Sequence, residues 1–163
     1  MKFAKIRDVK SPSRANPTDA GIDFFVPEYS EDFLKDLLEK NHSSYTIMSE
    51  KGILLFPNQR VLIPSGIHVE VPEGHALIAF NKSGISSQKG LDLLASVVDC
   101  GYQGEVHISL NNNSDKEVLI SYGSKIIQFV LLPVNFSMPI EEKFDNLYAS
   151  KSNRGSGGFG STS

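Results

Sequence analysis

At 163 residues, with 40% hydrophobic and 21% charged side chains, the chain is about one domain long and of ordinary globular composition, which excludes a disordered or fibrous protein over most of its length. Sixteen basic against nineteen acidic residues leave a net charge of −3, so nucleic acid held by a general cationic surface is excluded, while one local cationic pocket is not. The single cysteine, Cys100, rules out an internal disulfide and suits a reducing, cytoplasmic compartment. No apolar run reaches the ~18 residues that span a bilayer, so no membrane partner is expected, and the alternating charges of the first seven residues do not make a signal peptide.

In chain order, the pattern predicts a strand over Ile22–Val26, then one helix. From Ser30 to Asn41, Phe33, Leu34, Leu37 and Leu38 recur at helical spacing, with Ser30 as N-cap, acids in the first turn and Lys40 in the last. This stripe predicts a surface helix packed on a β core. Short strands follow at Ile53–Phe56, Arg60–Ile63, Ile67–Val71, Ala76–Phe80, Glu105–Leu110, Val118–Ser121 and Lys125–Leu132, divided by Gly, Pro, Asn and Ser turns. Ile67–Val71 alternates strictly, and Val106, Ile108 and Leu110 share one face. The continuous runs Ile53–Phe56 and Phe129–Leu132 predict strands buried on both faces. The whole reads as an all-β sandwich or barrel. Residues 151–163 are rich in Gly and Ser and predict a flexible arm, yet one carrying an anion-gripping Arg154 and a ring at Phe159.

Three places carry possible chemistry. Asn81–Gly84 offers an ammonium, a hydroxyl and backbone amides after a strand, which suits a phosphate and equally an ordinary turn. Asp99, at the bend Asp99–Gly104, is either a general base or an Asx-turn residue. Asp23 stands where a turn passes into a strand and is open to both kinds of reading. The four histidines show no metal spacing; His68 and His107 fall on the polar faces of their strands, His107 near the Asp99 bend.

Taken together, these segments resemble the trimeric dUTP nucleotidohydrolases (dUTPases). Five motifs occur in order: Ala20–Asp23, Lys82–Ser86, Val97–Glu105, Gly123–Gln128 and Arg154–Thr162. Residues 28–51 read as an insertion. The resemblance implies a jelly-roll-like β domain over residues 1–150, a C-terminal lid over 151–163, and a homotrimer whose active sites are shared between copies. It implies hydrolysis of dUTP to dUMP and pyrophosphate with Mg²⁺ on the triphosphate. Asp99 would be the general base, Tyr102 would face the deoxyribose, and the backbone around Val97 and Val98 would read uracil, with His107 beside it. Lys82, Ser83, Gly84 and Gln128 would hold phosphates, and Asp23 would meet the metal through a water. Phe159 would stack on the base and Arg154 would clamp the terminal phosphate, with Gly160 and Ser161 adding contacts. Lys82 stands where the family usually has Arg, Ser96 where glycine is common, and Leu93 near a place where a polar side chain often meets the nucleotide. Two alternatives compete: a dCTP deaminase of the same fold, and a regulatory module that captures a protein partner through the Ser30–Asn41 helix.

Overall fold

The computed structural model describes residues 1–41 and 46–158. Strands β1 (Lys2–Lys5), β2 (Ile22–Phe25), β3 (Thr46–Ser49), β4 (Gly52–Leu55), β5 (Arg60–Glu70), β6 (His75–Asn81), β7 (Leu91–Ala95), β8 (Val97–Val98), β9 (Glu105–Asn112), β10 (Val118–Ser121) and β11 (Lys125–Pro133) carry the fold, with helices α1 (Glu31–Lys40) and α2 (Ser83–Lys89). They form three antiparallel sheets, ordered β1-β5-β9-β7, β2-β11-β6-β8 and β10-β4-β3. The sheets stack as a sandwich around one apolar core, the all-β arrangement expected, and do not close into a barrel among the described residues. No described helix is long and apolar enough to cross a membrane.

Alternation makes the core. In β9, Val106, Ile108 and Leu110 are buried while Glu105, His107 and Ser109 face the other way. Phe24 of β2 and Phe129 of β11 meet across adjacent strands at 4.5 Å between ring centroids, and burial of each such side chain is worth about 1.5–3 kcal/mol. Buried Asn112 ends β9 and ties two sheets, its amide donating to the carbonyls of Leu55 at 3.0 Å and Lys116 at 2.8 Å.

Helix α1 forms where its spacing places it. The Phe33 N–H donates to the Ser30 hydroxyl at 3.1 Å, satisfying one of the first-turn amides. Its buried stripe is narrower than expected: Phe33 and Leu37 are fully buried, whereas Leu38 is 55% exposed. The helix lies on β5, and Phe33 meets the Tyr122 ring edge-on at 5.8 Å.

Other expectations need correction. Arg60–Ile63 and Ile67–Val71 are not separate strands; β5 runs through both, with an irregularity in its pairing to β9 between Pro64 and His68. Phe129–Leu132 is not buried on both faces: β11 stays paired with β6 to Pro133, yet Val130 and Leu131 are only half-buried and Leu132 is exposed. His68 and His107, on the polar faces of their strands, are both half-buried. Beyond Pro133 the chain makes no further strand among the described residues, only a 3₁₀ turn at Phe144–Asn146, and it carries Met138 and Ile140 at 82% and 88% exposure.

Candidate active site

The Asp99 bend is built by backbone geometry. The Tyr102 N–H donates to the Asp99 carbonyl at 3.2 Å, and Gly101 takes φ +87° in the third place of the turn, as a type II turn requires. The Asp99 carboxylate plays no part in this and accepts no hydrogen bond among the described residues, so an Asx-turn role is not what the fold shows. It stands exposed at the lip of a cleft of about 260 Å³ walled by Val97, Val98, Tyr102, His107 and Phe129, among others.

Tyr102 curls back over the bend, its hydroxyl donating to the Glu105 carbonyl at 3.0 Å. Gly104 leaves the room for this: a Cβ there would come within 2.4 Å of the Tyr102 oxygen. The same Glu105 carbonyl accepts from His107 Nδ1 at 2.8 Å. With its proton on Nδ1, the His107 ring leaves Nε2 as an acceptor, and that nitrogen is buried without a partner among the described residues. The short strand β8 pairs with Leu77 and Ile78 of β6 and forms the edge of its sheet, so its outer backbone groups have no strand partner, and both of its residues line the cleft.

A second, cationic cleft of about 290 Å³ gathers Lys82, Ser83, Gly84 and Gln128 with Lys89. Ser83 and Gly84 open α2, so their amides have no acceptor within that helix. Gln128 is held by donating from Nε2 to the Asn81 carbonyl at 3.0 Å, and faces Asp23 in the β2–β11 register. Asp23 is buried and takes ammonium groups on both oxygens, Lys82 on Oδ1 and Lys125 on Oδ2 at 3.1 Å. Burial pushes its carboxyl pKa up, but hydrogen bonds and charge from Lys82 and Lys125 outweigh this and hold it below the ordinary value.

The predicted residues thus come together as two clusters on one chain, not one. Asp99, Val97, Val98, Tyr102 and His107 share the first cleft; Lys82, Ser83, Gly84 and Gln128 share the second, with Asp23 behind them. Arg154 joins neither: its Nε donates to the Gly157 carbonyl at 2.9 Å in a small turn of the arm. Phe159, Gly160 and Ser161 lie outside the described residues. Leu93 lies on β7, in neither cleft. Sequence reasoning missed Lys125, although it opens the strand that bears Gln128, and it missed Arg7 and Glu105, whose pairing spans 98 positions and leaves no local signal.

The fold and these clefts define a β-sandwich domain that presents an acidic, apolar-walled slot and a separate cationic pocket. The dUTPase family model matches residues 38–163. The deoxyuridine 5'-triphosphate nucleotidohydrolase of Hydrogenobaculum sp. is 39% identical over 112 residues, covering 68% of this chain and 75% of that protein. The enzyme of that name from Mycobacterium sp. is 30% identical over 160 residues, covering 96% and 89%. Among solved structures, a Staphylococcus bacteriophage 80alpha dUTPase with dUpNHpp superposes with a TM-score of 0.72 at 22% identity, covering 98% of this chain and 96% of that one. The chain belongs to the dUTPase family. That membership does not favour the deaminase alternative.

Proposed function

We propose that the chain hydrolyses dUTP to dUMP and pyrophosphate, with Asp99 as the general base for the attacking water. The observation that carries this reading is the Asp99 carboxylate itself, which is exposed at the lip of an apolar-walled cleft and accepts no hydrogen bond among the described residues. A carboxylate so placed is unengaged and open to a water held at the α-phosphorus. It takes one proton from that water as the new P–O bond forms, and pyrophosphate leaves with the electrons of the breaking bond.

Uracil enters against the outer edge of β8, where Val97 and Val98 offer backbone donors and acceptors that match its edge. Cytosine would leave those groups mismatched, a large penalty in a water-poor slot. Tyr102 packs against the deoxyribose and leaves no room for a 2′-hydroxyl. His107 lines the same slot. Lys82, Ser83, Gly84 and Gln128 hold the phosphates. Arg154, Phe159, Gly160 and Ser161, carried by residues 151–163, close over the ligand. Because the two clefts are separate on one chain, a complete site draws on more than one copy, in keeping with a homotrimer.

Mg²⁺ belongs to the substrate in this scheme, bound to the triphosphate. The described residues contain no group of three metal-ligating side chains, and both Asp23 oxygens are taken up by ammonium groups. In this arrangement Asp23 serves the chain's own cations, positioning Lys82 toward the phosphates, and it holds no ion directly. The unpaired Cys100 suits a reducing, intracellular setting.

The test is pyrophosphate release from dUTP, dTTP, dCTP and UTP, with and without Mg²⁺. Release confined to dUTP is expected. Ammonia from dCTP, or intact dUTP after long incubation, would overturn the reading.

A further inference from the structure

The middle and the C-terminal end of the inserted helix α1 are tied to strands that wall the Asp99 cleft. In its middle, Asp36 accepts from Arg7 Nη2 at 2.7 Å, and the same nitrogen donates to Glu105 Oε2 at 3.0 Å. Glu105 Oε1 in turn accepts from the Gly66 N–H at 2.5 Å. At the helix C-terminus, Asn41 donates to the carbonyls of Leu37 at 2.7 Å and Leu62 at 2.9 Å, and accepts from the Leu62 N–H at 2.8 Å. β5 pairs with β9 on one side, but β1 reaches only Ile67–Glu70 on the other. At Leu62 the Asn41 amide therefore stands in for a missing strand. Leu62 and Glu105 both line the Asp99 cleft.

Arg7 is enclosed at this junction. Its side chain is 12% exposed, its guanidinium carbon lies 5.9 Å from the Phe33 ring centroid, and its Nε is buried without a partner among the described residues. Its stem passes over Gly66, where a Cβ would come within 2.5 Å of Arg7 Cγ and where φ is +73°. A guanidinium enclosed between two carboxylates is costly to disturb and holds both in fixed places. One of them, Glu105, carries the carbonyl that receives the Tyr102 hydroxyl and His107 Nδ1.

We propose that α1 is a brace for the nucleotide cleft, acting through Arg7 on Glu105 and through Asn41 on Leu62, and that it thereby fixes the Tyr102 ring tightly enough to tell deoxyribose from ribose. Arg7 and Asn41 are positioning residues in this scheme, which rests on the reading of Tyr102 as facing the sugar. Nothing in the five motifs requires the helix; its contacts supply the reason for it.

The experiment compares kcat/KM for dUTP and for UTP in the full chain and in Arg7→Met, Arg7→Lys and Asn41→Ala, with Glu39→Ala on the exposed face of α1 as control. Loss of a charge-assisted hydrogen bond is expected to lower the dUTP-to-UTP ratio about tenfold in Arg7→Met. Arg7→Lys and Asn41→Ala should lower it by about threefold, because each removes only part of the brace. The control should leave the ratio unchanged. A merely structural role would lower the melting temperature of these variants and leave the ratio alone, and that result in folded protein overturns the brace. Should Arg7→Met fail to fold, Arg7→Lys, which keeps the charge, decides the matter. A wild type that does not prefer dUTP to UTP overturns the sugar-facing reading of Tyr102 and the brace with it; a discriminating wild type with unaltered variants overturns the brace alone.

Discussion

Asp23 on β2 and Lys82 at the start of α2 form an ion pair across 59 positions of sequence, and Lys125 closes on the other Asp23 oxygen at 3.1 Å. One buried carboxylate thereby holds two cations, one of which, Lys82, lines the cationic cleft. Removing it leaves two ammonium groups close together with no counter-charge.

Asp23→Asn should therefore cost about 1–3 kcal/mol at neutral pH, the range for losing charge-assisted hydrogen bonds. The sign of the pH dependence follows from the lowered carboxyl pKa. The stabilisation is full above the ordinary carboxylate value of about 3.9 and is lost as pH falls through the lower value of the folded state. Urea midpoints from pH 6 to pH 2 should show the gap between wild type and variant narrowing on the acid side. A constant gap would contradict the pairing.

Replacing Asp99 tests chemistry and binding separately. Asp99→Asn should lower kcat by about 10²–10⁴-fold, the usual scale of general-base assistance. A nucleotide bound through β8, Tyr102 and the phosphate cleft should still bind with little change, as judged by titration with dUMP and a non-hydrolysable triphosphate. The Asp99 carboxylate takes no hydrogen bond among the described residues, so the melting temperature should hardly move.

How much of this was legible in the sequence depended on whether a signal was local. Ser30, Phe33 and Leu37 announce α1 because cap and stripe lie within eight positions, and β9 announces itself by strict alternation. Helix α2 does not: it contains a single apolar residue, Ile85, buries nothing fully, and is marked only by the left-handed Gly90 that ends it. Strand β1 is exposed along its length and exists through its pairing with β5, which no local pattern announces. The site divides the same way. Asp99, Tyr102 and Gly104 lie within one bend and could be read together, whereas the Arg7–Glu105 contact and the Asp23–Lys82–Lys125 triad join distant segments and emerge only on folding.

Asn112 makes a stability prediction independent of function. Its amide donates to two carbonyls, and its Oδ1 accepts from the Ser114 N–H at 3.0 Å and hydroxyl at 2.7 Å. Asn112→Leu keeps the branched shape, in a somewhat bulkier side chain, but strands those partners, one in the core between sheets. A loss of about 2–4 kcal/mol is expected, since each stranded buried group costs about 1–3. Chemical denaturation of the purified variant measures it, and a loss below about 1 kcal/mol would show that water satisfies these groups instead.

The arm supplies the last prediction. Residues 151–158 hold themselves only by small turns, Gly155 N–H to the Ser152 carbonyl at 3.1 Å and Gly157 N–H to the Arg154 carbonyl at 3.0 Å, and bury no side chain in the core. Truncation after Ser150 should leave the melting temperature within about 2 °C of wild type, because no core contact is lost. If Arg154 and Phe159 close over bound nucleotide, kcat/KM for dUTP should nevertheless fall by at least about 10²-fold, since a lid supplies both contacts and the exclusion of water. Arg154→Ala alone should raise KM and lower kcat together, with Arg154→Lys recovering only part of the loss because the guanidinium fork is missing. An undiminished rate in the truncated chain would mean that the phosphates are held by Lys82, Ser83 and Gln128 without help, and that the arm has no part in turnover.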